Sequence, residues 1–262
     1  MASKKEIRTI VVIGSGNVAT HLSLAFYNAG LKILQIYSRN LDHAKLLANK
    51  LNASYTSDLS GLAENADLYL FAISDSAIQS VLDKKDWKGK LLVHTAGSIS
   101  ISIFKAFSEN FGVIYPLQTF SKIRIIDISS IPFFIEANSS VTLDHLKKLV
   151  CKISKNASAI SFEDRLILHL AAVFANNFSN HMFTIAADIL EKHKLPIKYL
   201  HPLIQETSMK AIEVGPVSAQ TGPAVRNNIE IIQKHITLLE NEPELQNLYK
   251  FISENIIKYH KQ

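Results

Sequence analysis

The stretch from Arg8 to Ala29, RTIVVIGSGNVATHLSLAFYNA, most constrains what this chain can fold into. Ile10 to Ile13 is an unbroken, β-branched apolar run too short for a helix, which is how a strand buried on both faces reads. It leads directly into Gly14-Ser15-Gly16-Asn17-Val18-Ala19, a G-x-G-x-x-A turn. Ala19, Leu22, Ala25, Phe26 and Ala29 then recur at helical spacing, and Gly30 stands where a helix ends in a left-handed residue. In such a turn the first glycine permits a sharp exit from the strand. The second lets a pyrophosphate approach the backbone, and the small Ala19 lets the helix pack closely on the sheet. The free N–H groups and positive end of the helix then face phosphate. An ordinary βα turn that keeps its glycines for steric reasons is the competing reading. A motif that both follows a strand and opens a helix weighs against it.

The remaining pattern extends this beginning. Strands are predicted at 32–37, 53–56, 67–73, 91–94 and 112–115, with helices at 41–51, 59–65, 76–83 and 101–107 between them. Such alternation implies a parallel sheet with helices on both faces. Two further strands, 132–136 and 158–161, flank a helix at 141–154. From Phe162 onward the chain reads as helix: one of unusual length at 163–193, then 196–213, a Gly-Pro loop at 215–223, and helices at 229–239 and 244–259. The expected fold is α/β, a doubly wound, mostly parallel Rossmann sheet in residues 1–161, followed by an all-α domain in 162–262. The long helix is apolar on most sides and needs partners on most sides, which points to a homodimer through it, with a monomeric bundle as the alternative.

Composition narrows the function classes. At 262 residues, 47% hydrophobic and 19% charged, the chain holds enough apolar material for sizeable cores and is not a disordered sequence. A single cysteine, Cys151, excludes an intramolecular disulfide and fits a reducing compartment. The start, MASKKEIRTIVVIG, lacks the long apolar segment of a signal peptide, and no run reaches transmembrane length, so a cytoplasmic protein without a membrane partner is expected. The net charge of +5 comes from lysines and arginines scattered among acids. With no basic stripe, no nucleic-acid partner is expected. A positive excess would suit an anionic cofactor or substrate, but surface solubility is the better explanation of it.

The end of the second strand selects the dinucleotide. A carboxylate there would bond the ribose hydroxyls of NAD. This chain has Tyr37-Ser38-Arg39-Asn40, with no acid to repel a phosphate and a guanidinium to grip one. NADP(H) is expected, with Ser38 and Arg39 on the 2′-phosphate. The expected pyrophosphate cradle is Gly14, Ser15, Gly16, Asn17, Val18 and Ala19. The ends of later strands, Ala72-Ile73-Ser74 and Thr95-Ala96-Gly97, are expected to line the ribose and nicotinamide side. Asp75 reads as the N-cap of the next helix.

The long helix carries HLAAVFANNFSNH from His169 to His181, costly polar residues in an apolar helix. At about 100° per residue, His169, Asn176 and Asn180 share one stripe, and Asn177 and His181 a neighbouring one. That is the pattern of a cleft wall facing a substrate, or of amides bonded between helices or on a wet dimer surface. Farther on, Thr221 and Arg226 flank a rigid Gly-Pro turn and offer an anion site. A helix cap beside a surface arginine explains the same residues.

The matching blocks are Gly14–Ala19, Ala72–Asp75, His94-Thr95-Ala96-Gly97-Ser98, Tyr115-Pro116-Leu117-Gln118-Thr119-Phe120, His169–Val173 with Asn176-Asn177-Phe178, and Thr221-Gly222-Pro223 with Arg226. On these the chain resembles bacterial NADP oxidoreductases that join a Rossmann-like domain to a helical domain of unknown function. That family is related to pyrroline-5-carboxylate reductases and the 6-phosphogluconate dehydrogenase-like superfamily. The resemblance implies an NADP site, a 6-phosphogluconate dehydrogenase C-terminal-like helical domain and dimerisation through it. Related β-hydroxyacid dehydrogenases and ketopantoate reductases place a lysine four residues before an asparagine on the long helix. Here Asn176 matches the asparagine, but Ala172 stands at the lysine position.

His169 is the obvious substitute proton donor. The expected activity is NADPH-dependent reduction of a small anionic keto or imino compound, of 2-keto acid, ketopantoate or pyrroline-carboxylate type. Asn176 would orient the substrate, Thr221 and Arg226 would bind its carboxylate, and Gln118 and Asn177 would assist. The missing lysine also leaves open a protein that binds NADP without chemistry, or a dimeric scaffold with a vestigial site.

Overall fold

The computed structural model describes residues 6–260 and divides into two compact units, Met1–His181 and Met182–Gln262. The reading of the first residues as no leader rests partly on 1–5, which lie outside the described residues. The first unit is built on an eight-stranded sheet in the order β3-β2-β1-β4-β5-β6-β7-β8. Its strands are β1 (Thr9–Ile13), β2 (Lys32–Tyr37), β3 (Ser54–Thr56), β4 (Leu68–Phe71), β5 (Leu91–His94), β6 (Asn110–Pro116), β7 (Phe133–Ala137) and β8 (Ala157–Ala159). All neighbours pair in parallel except β6 and β7, which run antiparallel in the register Ile114 to Ile135. The chain reverses from β1-β2-β3 to β4 on the other side of β1, which opens a crevice beyond the carboxyl end of β1.

Alternation along β1 assigns its residues to two cores. Ile10 and Val12 face helices α1 (Asn17–Asn28), α2 (Leu41–Asn49) and α4 (Ser140–Val150). Val11 and Ile13 face the other core, with Tyr69, Phe71, Trp87 and Phe104. Burial on both faces is why these strands read as continuous apolar runs instead of alternating ones. The short α3 (Ile78–Leu82) follows a 3-10 turn at Asp75–Ala77.

Four expectations are corrected. Residues 59–65 are not helical: Asp58 accepts the N–H and hydroxyl of Ser60 in a tight turn, and Gln35 donates to the carbonyl of Gly61 and accepts the N–H of Ala63. The predicted helix at 101–107 is a 3-10 turn at Ile101–Phe104. Asp75 is not an N-cap. Ser74 holds that position, and the Asp75 carboxylate accepts the hydroxyl of Ser98. The long helix is interrupted: α5 (Phe162–Ala172) passes into a π turn at Val173–Phe178 and then into α6 (Ser179–Lys192).

The second unit takes the rest of α6 together with α7 (His201–Val214), α8 (Pro216–Ala219), α9 (Ile229–Leu238) and α10 (Pro243–His260). The pair α9–α10 is tied by His235 Nδ1 and Tyr249 Oη at 2.7 Å, and by Gln246 donating to the Ile236 carbonyl. No helix among the described residues is long and apolar enough to cross a membrane.

Candidate active site

The glycine turn sits at the crevice. Gly14 donates its N–H to the Tyr37 carbonyl at 2.8 Å and has φ +124°. A Cβ there would lie 2.2 Å from the Ala72 carbonyl oxygen, so both the conformation and the space require glycine. A Cβ on Gly16 would meet nothing within 4 Å, so the backbone at the helix start is open for a ligand to approach. Gly16 is the N-cap of α1 and gives no side-chain cap, leaving the first-turn N–H groups directed outward.

Around this turn lies a cavity of about 460 Å³ lined by Gly14, Ser15, Gly16, Asn17, Val18, Tyr37, Ser38, Arg39, Leu59, Ala72, Ile73, Ser74, Ala77, Ser80, Val81, Lys84 and Thr95. Among the described residues, no carboxylate lines it. Ser15 donates to Ser38 at 2.8 Å, tying the second strand's end to the glycine turn. Two cations, Arg39 and Lys84, stand on the same cavity. The sequence reading found Arg39 but not Lys84, which follows α3. Asn40, next to Arg39, caps α2 by accepting the His43 N–H.

A second cavity, of about 620 Å³, adjoins the first through the shared residues Asn17, Val18 and Thr95. Its other walls are 115–120 and one side of α5 with the π turn, including His169, Ala172, Asn176 and Asn177. The π turn brings these residues together. A wider turn falls behind the α-helical phase, so Asn180 and His181 do not line the cavity, whereas the adjacent Asn176 and Asn177 both do. The expected stripe of His169, Asn176 and Asn180 is corrected accordingly. The 115–120 wall is pinned to α1: His21 Nε2–H donates to the Ser121 carbonyl at 3.0 Å, its ring lies against Phe120, and Asn17 accepts the Lys122 N–H.

Under the second cavity the segment after β5 is locked by a residue that the sequence did not flag. Arg165 is completely buried. One terminal guanidinium nitrogen donates to the carbonyls of Ala96 and Gly97 at 2.7 and 3.0 Å, and the other terminal nitrogen to Glu136 at 3.0 Å, while Nε has no partner among the described residues. Buried charge is tolerable only when paired and hydrogen-bonded in this way. His94, also buried, accepts the Ala96 N–H at Nδ1. Burial, and then the charge of Arg165, hold its pKa down to about 3. A neutral ring accepting at Nδ1 carries its proton on Nε2, and that buried atom has no partner among the described residues. His169 packs directly on Gly97, where a Cβ would lie 2.5 Å from its Nδ1. The same Nδ1 is 3.0 Å from the hydroxyl of Tyr115, whose pKa burial raises against the opposing charge of Arg165.

Among the expected cofactor residues, Ala19 is on the buried face of α1, while Ala96 and Gly97 give their carbonyls to Arg165 instead of lining the first cavity. The others line it. His169, Asn176, Asn177 and Gln118 meet on the second cavity. Thr221 and Arg226 belong to the second unit, where both are exposed in the turn segment between α8 and α9. The cap of α9 is Asn228, not Thr221. No group of three or more potential metal ligands occurs among the described residues.

Residues 9–97 match the family described as NADP oxidoreductase coenzyme F420-dependent, and residues 131–256 match a domain of unknown function, DUF2520. A Bacteroides fragilis protein assigned as an NADP oxidoreductase is 42% identical, with 98% of this chain and 100% of that one covered and a TM-score of 0.91. A Thermotoga maritima protein shares the fold at a TM-score of 0.71 and 22% identity, over 97% of this chain and 100% of that one. A pyrroline-5-carboxylate reductase of Aquifex aeolicus is 32% identical over 87 residues. That match spans about a third of the relative's length, 33% of either chain.

Proposed function

The chain belongs to the NADP oxidoreductase family, and we propose that it uses NADPH to reduce the C=O or C=N bond of a small anionic keto or imino compound. The observation that carries this reading is the pair of adjoining cavities. One has a glycine-turn cradle, two cations and, among the described residues, no carboxylate, and the other holds His169 with the amides of Asn17, Gln118, Asn176 and Asn177. NADPH, when bound, supplies the hydride. The residues at the helix start, from Gly14 to Val18, fit its pyrophosphate. Ser38 and Arg39, joined by Lys84, fit its 2′-phosphate. Thr95, shared by the two cavities, and Ser74, on the first, fit the nicotinamide end.

In that second cavity Asn176 orients the substrate oxygen or nitrogen, with Asn177 and Gln118 assisting. His169 delivers the proton, in place of the lysine that related enzymes carry where Ala172 stands. The described wall of this cavity holds no lysine or arginine; Arg226 and Thr221 remain candidate carboxylate-binding residues of the second unit. Leu166, Ile167, Leu170, Phe174 and Phe178 are exposed along α5 and the π turn, which supports a homodimer formed through this helix. A free Cys151 suits a cytoplasmic setting.

A thermal-shift titration with NADPH and NADH side by side tests the reading. A ligand bound only by the native state raises Tm by mass action. An NADPH-selective rise is expected, followed by loss of nicotinamide absorbance in a screen of keto and imino acids. No rise with either nucleotide overturns the proposal.

A further inference from the structure

We propose that Tyr115 is a positioning residue that accepts the Nδ1–H of His169 and so reserves Nε2 as the atom that carries the catalytic proton. The inference rests on the reading of His169 as proton donor, and it names how that residue is set for the task. Tyr115 has no role in the sequence reading beyond its place in a matching block.

The contact is built from several sides. Tyr115 ends the buried face of β6 and is only 8% exposed, so its ring has little freedom. Its hydroxyl lies 3.0 Å from His169 Nδ1, with the two rings edge-on at 5.9 Å. Gly97 fills the space beneath the imidazole, and the Gly97 backbone is itself held by Arg165. The histidine therefore meets a fixed hydroxyl on one nitrogen, while Nε2 has no protein partner among the described residues.

A hydroxyl can either donate to Nδ1 or accept from it. Proton balance decides between them. If Tyr115 donated, the neutral ring would hold its single proton on Nε2, and delivering it without forming an imidazolate would require Nδ1 to take a further proton and the hydroxyl to turn round first. If Tyr115 accepts, Nδ1 keeps its N–H throughout. Nε2 then takes a proton to form the imidazolium and returns it when the substrate carbon accepts hydride. The Nε2–H bond breaks, an O–H or N–H bond forms on the substrate, and the ring is left neutral with Nδ1–H still on Tyr115. This is the orienting task that a carboxylate performs for histidine in hydrolase triads. Burial, by raising the Tyr115 pKa, keeps the hydroxyl from ionising or passing on its own proton.

The test needs no substrate. In the uniformly 15N-labelled full chain, at a pH where the imidazole is neutral, long-range 1H–15N correlation distinguishes protonated from bare ring nitrogens, with His169→Gln assigning the signals. The expected result is a protonated Nδ1 and a bare Nε2 in the wild type, with that preference lost in Tyr115→Phe. A bare Nδ1 in the wild type overturns the proposal, as does a pattern unchanged in Tyr115→Phe. If that variant does not fold, the wild-type spectrum alone still decides. On a substrate found by the nicotinamide screen, Tyr115→Phe is expected to lower kcat by roughly tenfold to a hundredfold, with KM nearly unchanged. A fall in kcat/KM arising only from KM counts against positioning. Absence of any NADPH effect on the protein removes the reductase reading instead and leaves the tautomer result intact.

Discussion

Buried His94 makes a specific contribution to stability against acid. Its ring is completely buried beside Phe104, at 5.6 Å between centroids, and its pKa falls from 6.5 to about 3 because burial, and then Arg165, oppose a charge there. In the unfolded chain it titrates normally. Between those two values the unfolded state binds a proton that the folded state refuses, so stability is full above about pH 6.5 and declines as pH falls. At about 1.4 kcal/mol per unit, the interval of about 1.5 units from 6.5 to 5 is worth about 2 kcal/mol, a large share of a typical domain's stability.

Trp87 is the single tryptophan and lies in the same core, so its fluorescence reports unfolding of the unit that contains His94. Urea titrations at pH 7 and pH 5 are compared for the wild type and His94→Asn, whose amide oxygen can still accept the Ala96 N–H. The wild type is expected to lose about 2 kcal/mol more than the variant between the two pH values. Glu64, with its pKa lowered to about 2 by Lys85 and Lys90, titrates below this window and is common to both proteins. Equal losses in the two proteins refute the reasoning.

Gly14→Ala is expected to cost about 3 kcal/mol or more, because its Cβ meets a backbone oxygen at 2.2 Å and its φ is +124°. Urea unfolding followed by Trp87 checks this, and a loss below about 1 kcal/mol counts against the geometry of the turn. Arg39→Ala combined with Lys84→Ala is expected to weaken NADPH binding by roughly tenfold or more while leaving NADH binding nearly unchanged, read by calorimetry. Equal losses for both nucleotides would place these cations away from the 2′-phosphate. Glu136→Gln leaves Arg165 without its counter-charge and is expected to destabilise the first unit by about 3 kcal/mol in the same urea assay.

The sheet and the cofactor turn were readable because each rests on local chemistry. The run Ile10 to Ile13 is apolar because both faces of β1 are covered, and Gly14 is glycine because of its φ and of the Ala72 carbonyl beside it. The π turn was not readable. A helical wheel assumes a constant turn, and nothing in Val173-Phe174-Ala175-Asn176-Asn177-Phe178 announces an extra residue per turn. The wheel therefore puts Asn180 beside His169 and Asn176, whereas only the latter two line the cavity. The Asp75 cap failed for a related reason. The carboxylate has a competing donor in Ser98, 23 residues away, and local pattern cannot see it.

Arg165 shows why the support of the site was hidden while its surface was not. Beside Glu163 and Asp164 in the first turn of α5 it reads as one of several solvated charges. In the fold it has no exposure, and its three acceptors belong to the segment after β5 and to β7. A guanidinium so engaged fixes the start of the long helix against the sheet before any apolar contact is considered. It also sets the height of Gly97, and Gly97 sets the height of the imidazole four residues along the helix from Arg165. The position of His169 is therefore determined less by the stripe on which it lies than by an ion pair buried beneath it. That dependence also accounts for the inclusion of His169 in Met1–His181: Arg165, the Gly97 contact and the Tyr115 hydroxyl bind the early turns of the helix to the strands, although a reading of secondary structure alone ends the sheet domain at residue 161.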